Sequence, residues 1–380
     1  MVEERSNLEP EVQVIFEAID EGRNFLLSGG AGSGKTYSLV NVIRQVIAEN
    51  PTDKIACITY TNAAVKEIEN RVNHKNLNVS TIHDFLWDNI KHFQKELKEA
   101  IIELVNDANV SKISISDMST VPDDFFDSLK EGIQYKEYVR IRKGIISHDE
   151  LIIVAERLFS KYPKLCRIVQ DKYKFIFIDE YQDTDEKVVK IMNLLDEYSK
   201  KINHKFYVGY FGDYVQNIYN SGVGELIEEL HTNLDNVYKK YNRRSAKEII
   251  EVANKIKKNE FSQESIYEDS GGGTIEFFSG KEEEIKAFLE KVEKEWNITQ
   301  DSPLHCFILT NKLIAEYSGF QDIYDFFYKS DYYKKNYNQL TSELFSNDMT
   351  KLGNIPSLFF KIIKFYILIF IKNIFISQFF

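Results

Sequence analysis

Eight residues, Gly29 to Thr36, read GGAGSGKT and fit the spacing G-x-x-x-x-G-K-S/T. A loop of this kind works in one structural setting. A buried strand must enter it and a helix must leave it, so that backbone N–H groups and a helix N-terminus converge on an anion. The flanking residues supply both. NFLLS at 24–28 is a short apolar run suited to a buried parallel strand. After Thr36, the residues Leu39, Val40, Ile43, Val46 and Ile47 recur at helical spacing. The chain is therefore expected to be an α/β protein that cradles a nucleotide's phosphates.

The rest of the first half repeats the rhythm. KIACITYT at 54–61 reads as a strand and is followed by a helix through NAAVKEIENRV. FIFID at 175–179 is followed by TDEKVVKIMNLLDEY, and KFYVGYFGD at 205–213 is a fourth strand. Strands alternating with helices predict a doubly wound parallel sheet, with ligands at the carboxyl ends of the strands. Residues 86–145 break the pattern and read as a mostly helical insertion. The first domain is thus expected at 1–85 plus 146–238, a second at 239–350 and an apolar tail at 351–380. Landmarks of the second domain are a helix at KEIIEVANKIKK, a turn at SGGGT, strands at TIEFFSG and LHCFILT, and a helix at KEEEIKAFLEKVEKEW.

Charge narrows the partners. Lys+Arg total 48 against 59 Asp+Glu, a net −11, so bulk attraction does not hold this chain on nucleic acid. Any such contact must use a local groove. Cys57, Cys166 and Cys306 are far apart and lack metal-ligand spacing, which fits free thiols in a reducing cytoplasm. The N-terminus MVEERSNLEPE is too polar for a secretory signal.

Three further strings carry chemistry. In FIFIDEYQDTD, an apolar strand ends in Asp179 and Glu180. Asp179 is placed to hold Mg²⁺ together with Thr36, and Glu180 to take a proton from an attacking water. In GDYVQNIY, the Gln216 carboxamide lies just beyond a strand end, where it can sense a γ-phosphate. In KYNRRSAKEII, an arginine can reach the transferring phosphoryl group. Each string alone has a plain alternative: a solvated acidic cluster, a polar loop, a surface basic pair.

Taken in order, these strings resemble the UvrD/Rep-type helicases of superfamily one, the 3′-to-5′ DNA-translocating kind, from about residue 8 to about residue 315. DEYQDT is close to the family's Walker B signature and GGAGSGKT to its first motif. TYTNAAVKEIENRV, STIHDF and GDYVQNIY resemble its motifs Ia, Ib and III. NRRS at 242–245 stands where the family has Asn-Tyr-Arg-Ser, and ISHDELIIVAERLF resembles the stretch before motif II.

The resemblance implies an ATP-driven P-loop NTPase with a RecA-like parallel sheet, a helical insertion and a partial second RecA-like domain. ATP would lie between the two domains and single-stranded DNA would cross their top. Gly29, Gly30, Ala31, Gly32, Ser33 and Gly34 would shape the phosphate loop, with Lys35 and Thr36 holding phosphates and Mg²⁺. Gln216 would sense the γ-phosphate and Arg244 would supply the arginine of motif IV. Gln13 falls about where the family reads adenine. Tyr60, Thr61, His83 and Tyr219 would contact DNA, and stacking on the tyrosines would suit a sequence-blind track.

Two later family motifs, one coupling DNA to the ATP site and one supplying a second arginine, are not found after residue 310. The chain instead ends IPSLFFKIIKFYILIFIKNIFISQFF. Its lysines interrupt it too often for a clean membrane span of roughly 20 residues. Truncation of a longer second domain is the leading expectation, ahead of a partner-binding tail and an interfacial helix.

Two functions compete: an ATP-dependent DNA helicase, and a nucleotide- or DNA-sensing ATPase subunit. Short helicases of this type resemble those paired with nucleases in anti-phage systems such as Gabija. A small-molecule kinase would share the loop but does not explain DEYQDT followed by GDYVQNIY.

One departure from the family generates a prediction. The family has Arg after the loop's Thr and Tyr in Asn-Tyr-Arg-Ser, and the two sandwich adenine. Here those positions are Tyr37 and Arg243, so cation and aromatic have exchanged places. Tyr37→Ala and Arg243→Ala are each expected to raise the KM for ATP about 3- to 10-fold. Steady-state hydrolysis against ATP concentration checks this, and an unchanged KM in both variants contradicts it.

Overall fold

Apolar runs of five or six residues decide the architecture, because each can be buried on both faces only inside a parallel sheet covered by helices. The computed structural model describes residues 5–115, 118–216, 222–256, 262–281, 284–299, 302–308, 310–317, 319, 321–329 and 358. In chain order the strands are β1 (Asn24–Gly29), β2 (Ile55–Thr59), β3 (Leu77–Thr81), β4 (Gln134–Tyr135), β5 (Ile145–Ile146), β6 (Phe175–Asp179), β7 (Tyr207–Gly212), β8 (Leu234–Lys239), β9 (Tyr241–Asn242) and β10 (Glu264–Ser265). Six of them form one sheet in the order β3-β2-β6-β7-β1-β8. Every pairing in it is parallel. All six carboxyl ends therefore share one edge, and the phosphate loop leaves β1 at that edge.

The period-two alternation of the strands divides the core. Phe25, Leu27, Ile55, Cys57, Phe175, Phe177 and Phe211 point to one face. There they meet α1 (Pro10–Asp20), α2 (Lys35–Glu49) and α3 (Asn62–Val72). Leu26, Ala56, Ile58, Ile176, Ile178, Val208 and Tyr210 point to the other. They are covered by α4 (Ile82–Ile90), α5 (Gln94–Asn106), α6 (His148–Lys161), α7 (Pro163–Lys172) and α8 (Glu186–Lys201). The short α9 (Ile227–Leu230) leads into β8, and α10 (Lys247–Ile256) follows β9.

Local signals start and stop these helices. Ser147 and Glu150 form a reciprocal capping box at α6, with Ser147 N–H donating to Glu150 Oε2 at 3.0 Å. Asp185 caps α8 through Lys187 N at 2.8 Å, and Pro163 opens α7. Within the expected insertion, α5 is the long helical part. The irregular stretch after it still buries Ile113, Ile115, Val121, Phe126 and Ile133 in the same core as α4–α8.

The compact unit that carries the sheet runs from Met1 to Glu276, and a second unit runs from Phe277 to Phe380. The ribbon of β9 and β10, placed by sequence at the start of a second domain, lies within the first unit. The described residues of the second unit include α11 (Ile285–Glu295), α12 (Asn311–Tyr317) and α13 (Gln321–Lys329). Strands were expected at 274–280 and 304–310, but the described residues there join no sheet. A strand needs a neighbour for its backbone groups, and Phe277 and Phe307 are 92% and 97% exposed. The apolar tail at 351–380 lies, apart from Leu358, outside the described residues. Among the described residues no helix is long and apolar enough to cross a membrane. Cys57 and Cys166 are buried free thiols and Cys306 is an exposed one.

The aromatic cluster under α1 and α2 sets a stability prediction. Phe177 is fully buried, with its ring 6.0 Å from those of both Phe25 and Phe211. Phe177→Ala should destabilise the chain by about 3–5 kcal/mol. Urea denaturation checks it, and a loss below about 1 kcal/mol contradicts the packing described.

Candidate nucleotide site and nucleic-acid face

The phosphate loop runs from the end of β1 to Lys35, the first residue of α2. Gly32 and Gly34 take left-handed conformations, with φ 79° and 86°, that a side chain would resist. Lys35 is 9% exposed, Ser33 is fully buried and Thr36 is half-buried on the first turn of α2. Left-handed glycines, a buried lysine and a helix N-terminus thus occur together in this loop.

Asp179 ends β6 and is 6% exposed. Burial first, then the neighbouring charge of Glu180, push its carboxyl up to about 7, while the Lys35 ammonium opposes the rise. Its Oδ1 is buried without a hydrogen-bond partner. An unpaired buried carboxylate oxygen beside a hydroxyl-bearing helix turn suits a hard divalent cation, which would hold Asp179 ionised. Asp179 and Thr36 are the residues that would hold Mg²⁺.

Glu180 follows in a left-handed conformation, φ 50° and ψ 51°, unusual for a residue with a side chain. A hydrogen-bonded line leads away from it. Gln182 Nε2 donates to Glu180 Oε2 at 2.9 Å, and Asp213 N–H donates to Gln182 Oε1 at 3.0 Å. Gln216 Nε2 donates to Asp213 Oδ2 at 2.7 Å. The expected base and the expected γ-phosphate sensor are therefore joined through Gln182 and Asp213. Sequence reasoning passed over these two, although both are polar residues inside the motif strings.

On the other side of the loop, Glu9 gathers three donors. It accepts from Ser38 Oγ at 2.6 Å and Lys239 Nζ at 2.9 Å, and pairs with Arg243 Nη2 at 2.8 Å. Burial alone would raise its pKa, but the hydrogen bonds from Ser38 and Lys239 and the two positive charges hold it below its ordinary value. Lys239 is 1% exposed and also donates to Ser38 Oγ at 2.7 Å. Arg243 and Tyr37 flank Gly34, with Arg243 Cδ and Tyr37 Cβ 3.8 and 3.9 Å from where a Cβ on that glycine would stand. The tyrosine is 53% exposed, so its ring remains open to a base. Arg244 is exposed beside them. Gln13 is half-buried, and its amide donates to Leu8 O at 2.8 Å. Its donor is thus engaged with its own chain.

Tyr60 and Thr61 follow β2 and His83 follows β3, on the same sheet edge as the phosphate loop. Tyr60 is 42% exposed. Thr61 caps α3, its Oγ1 accepting from Ala64 N at 3.2 Å. The His83 ring lies 4.4 Å from that of His148. Burial and the neighbouring imidazole lower His83 to about 4, against the pull of Asp84, Asp149 and Asp185. His83 is therefore uncharged at pH 7. Tyr219 lies outside the described residues.

A family profile described as an AAA domain matches residues 13–222, which take in the phosphate loop, Asp179, Glu180 and Gln216. The chain belongs to this AAA domain family, as a superfamily one helicase domain of the UvrD/PcrA type with a P-loop, RecA-like fold. It is 38% identical to the Gabija protein GajB of Bacillus cereus strain HuB5-5, over 93% of this chain and 64% of that protein. It is 26% identical to the ATP-dependent DNA helicase PcrA of Staphylococcus epidermidis strain RP62A, over 71% of this chain and 43% of that protein. The chain thus spans less than two thirds of either relative. Among solved structures, the Pif1 helicase from Candida albicans matches 61% of this chain and 40% of its own at 13% identity, with a TM-score of 0.30.

The histidine pair sets a pH prediction. Because His83 titrates near 4 in the folded chain against an ordinary 6.5, the unfolded chain binds the extra proton between those values. Its contribution to stability is complete above about pH 6.5 and is lost as pH falls toward 4. His83→Gln should flatten that part of the stability profile, read by urea denaturation of parent and variant at pH 7.5, 5.5 and 4.5. Parallel profiles contradict the assignment.

Proposed function

We propose that this chain is an ATP-hydrolysing, DNA-responsive subunit of a nuclease-associated defence complex. The observation that carries the chemistry is the hydrogen-bonded line from Glu180 through Gln182 and Asp213 to Gln216 beside the phosphate loop. Similarity to a Gabija protein over 93% of the chain supports the defence setting. Similarity to PcrA supports a second reading, a freestanding 3′-to-5′ helicase.

In this reading Lys35 and the loop amides grip the phosphates of ATP. Thr36 and Asp179 would hold Mg²⁺, which would supply charge neutralisation to the phosphates. Glu180 Oε accepts a proton from the water that attacks the γ-phosphorus, and its fixed backbone and bond from Gln182 aim the carboxylate. Gln216 couples phosphate occupancy to Asp213 and so back to Glu180. Arg244 stabilises charge on the transferring group. Single-stranded DNA crosses the carboxyl edge of the sheet at Tyr60, Thr61 and His83, where a base stacks on the exposed tyrosine. Because the chain carries net −11, this contact is local to that edge.

The test is ATP hydrolysis by the purified chain with and without single-stranded DNA. DNA should stimulate hydrolysis several-fold, and Lys35→Ala should abolish it. Glu180→Gln should lower kcat by about 100-fold or more while ATP still binds. Strand separation on a forked duplex would favour the freestanding helicase. Absence of hydrolysis with or without DNA would contradict both readings.

A further inference from the structure

The β9–β10 ribbon brings onto the phosphate loop a residue that belongs to none of the recognised strings. β10 pairs in parallel with β9, Glu264 beside Tyr241 and Ser265 beside Asn242. Arg243 N–H donates to Gly32 O at 2.9 Å, which fastens the ribbon to the loop. Gln263 immediately precedes β10 and is 5% exposed. Asn254 of α10 holds its backbone from both sides, accepting from Gln263 N at 2.9 Å and donating to Gln263 O at 2.8 Å. The Gln263 carboxamide lies against Gly30, its three atoms 2.7–2.9 Å from where a Cβ on that glycine would stand. Any larger residue at position 30 would displace it.

The orientation of this amide follows from its neighbours. Asn242 Oδ1 accepts from the N–H groups of Arg244 and Ser245, both at 2.9 Å. The other end of Asn242 must therefore be its Nδ2, which donates to Ala31 O at 2.8 Å and toward Gln263 Oε1 at 3.3 Å. Gln263 then presents its oxygen to Asn242, leaving Nε2 as a donor. That Nε2 is buried and has no hydrogen-bond partner. Ser33 Oγ, in the same loop and fully buried, is also without one. Buried donors are normally satisfied, and one held unsatisfied in a fully fastened frame calls for an acceptor supplied from outside the chain. A phosphate oxygen is an acceptor without protons of its own and carries the charge that strengthens such a bond.

We propose that Gln263 is a phosphate-contacting residue of the nucleotide site, its Nε2 donating to an oxygen of the ATP polyphosphate beside Gly30. This rests on the ATP-binding reading given above. It adds to the loop a donor contributed from across the ribbon, so that ATP binding and the placement of Arg243 and Arg244 become one event.

Two near-isosteric variants test it by isothermal titration with ATP and, separately, inorganic tripolyphosphate, both with Mg²⁺. Gln263→Met keeps the length and removes the donor, and Gln263→Glu keeps the shape and turns a negative charge toward the phosphates. Kd for both ligands should rise about 5-fold in the first and on the order of 20-fold or more in the second, with thermal midpoints unchanged. A packing role would make affinity follow stability and ignore charge. Parent-like affinity in Gln263→Glu, with binding abolished by Lys35→Ala, would overturn the proposal alone. No binding of either ligand by the parent would overturn the ATP-binding reading and this proposal with it.

Discussion

The buried ion pair between Glu9 and Lys239 is the fastening on which the arrangement of the site depends. The two residues are 230 positions apart, and their charged atoms meet at 2.9 Å with the ammonium almost wholly out of water. Burying either charge alone would be strongly unfavourable, and only mutual pairing with further hydrogen bonds makes it tolerable. Ser38 supplies one such bond to each partner. The start of α1, the first turns of α2 and the end of β8 are thereby forced together directly behind the phosphate loop. Arg243, four residues beyond Lys239, then lies within reach of the same carboxylate.

The site assembled on this fastening has two sides. One is the ribbon side, where Asn242 and Arg243 bind loop carbonyls and Gln263 covers Gly30. The other is the acidic side at the ends of β6 and β7, where Asp179 and Glu180 stand with Gln182 and Asp213 behind them. Polar groups on both sides are buried short of partners: Asp179 Oδ1, Ser33 Oγ and Gln263 Nε2. Their distribution suits a ligand that is anionic in one part and accompanied by a cation in another, as ATP with Mg²⁺ is. The left-handed backbone at Glu180 belongs to the same pattern, since strain of this kind persists where surrounding structure over-determines it.

The central strands were legible because burial on both faces leaves an unbroken apolar run, as in FIFID at β6 and FLL within β1. The edge strands β3 and β8 were not. LNVST and LDNVYK are partly exposed and mix polar with apolar residues, so neither stands out from a loop. The phosphate loop and the Asp179–Glu180 pair were readable for a different reason: their chemistry constrains consecutive residues. Glu9, Lys239 and Gln263 carry no such local signature, because each acquires its role from a partner far away in the chain. The same limit explains the boundary drawn at residue 239. The hydrogen bonds of Asn242 and Arg243 tie the ribbon that follows it back to the loop. The runs TIEFFSG and LHCFILT show the converse case, apolar patterning that joins no sheet among the described residues.

Thermal unfolding of the purified chain over a range of ATP concentrations, with Mg²⁺ present and absent, tests the central claim most directly. A ligand bound only by the folded chain adds about 2.7 kcal/mol of stability at a hundredfold excess over its Kd. The account predicts a midpoint that climbs with ATP, climbs further with Mg²⁺, and does neither in Lys35→Ala. A midpoint indifferent to millimolar ATP with Mg²⁺ would contradict it.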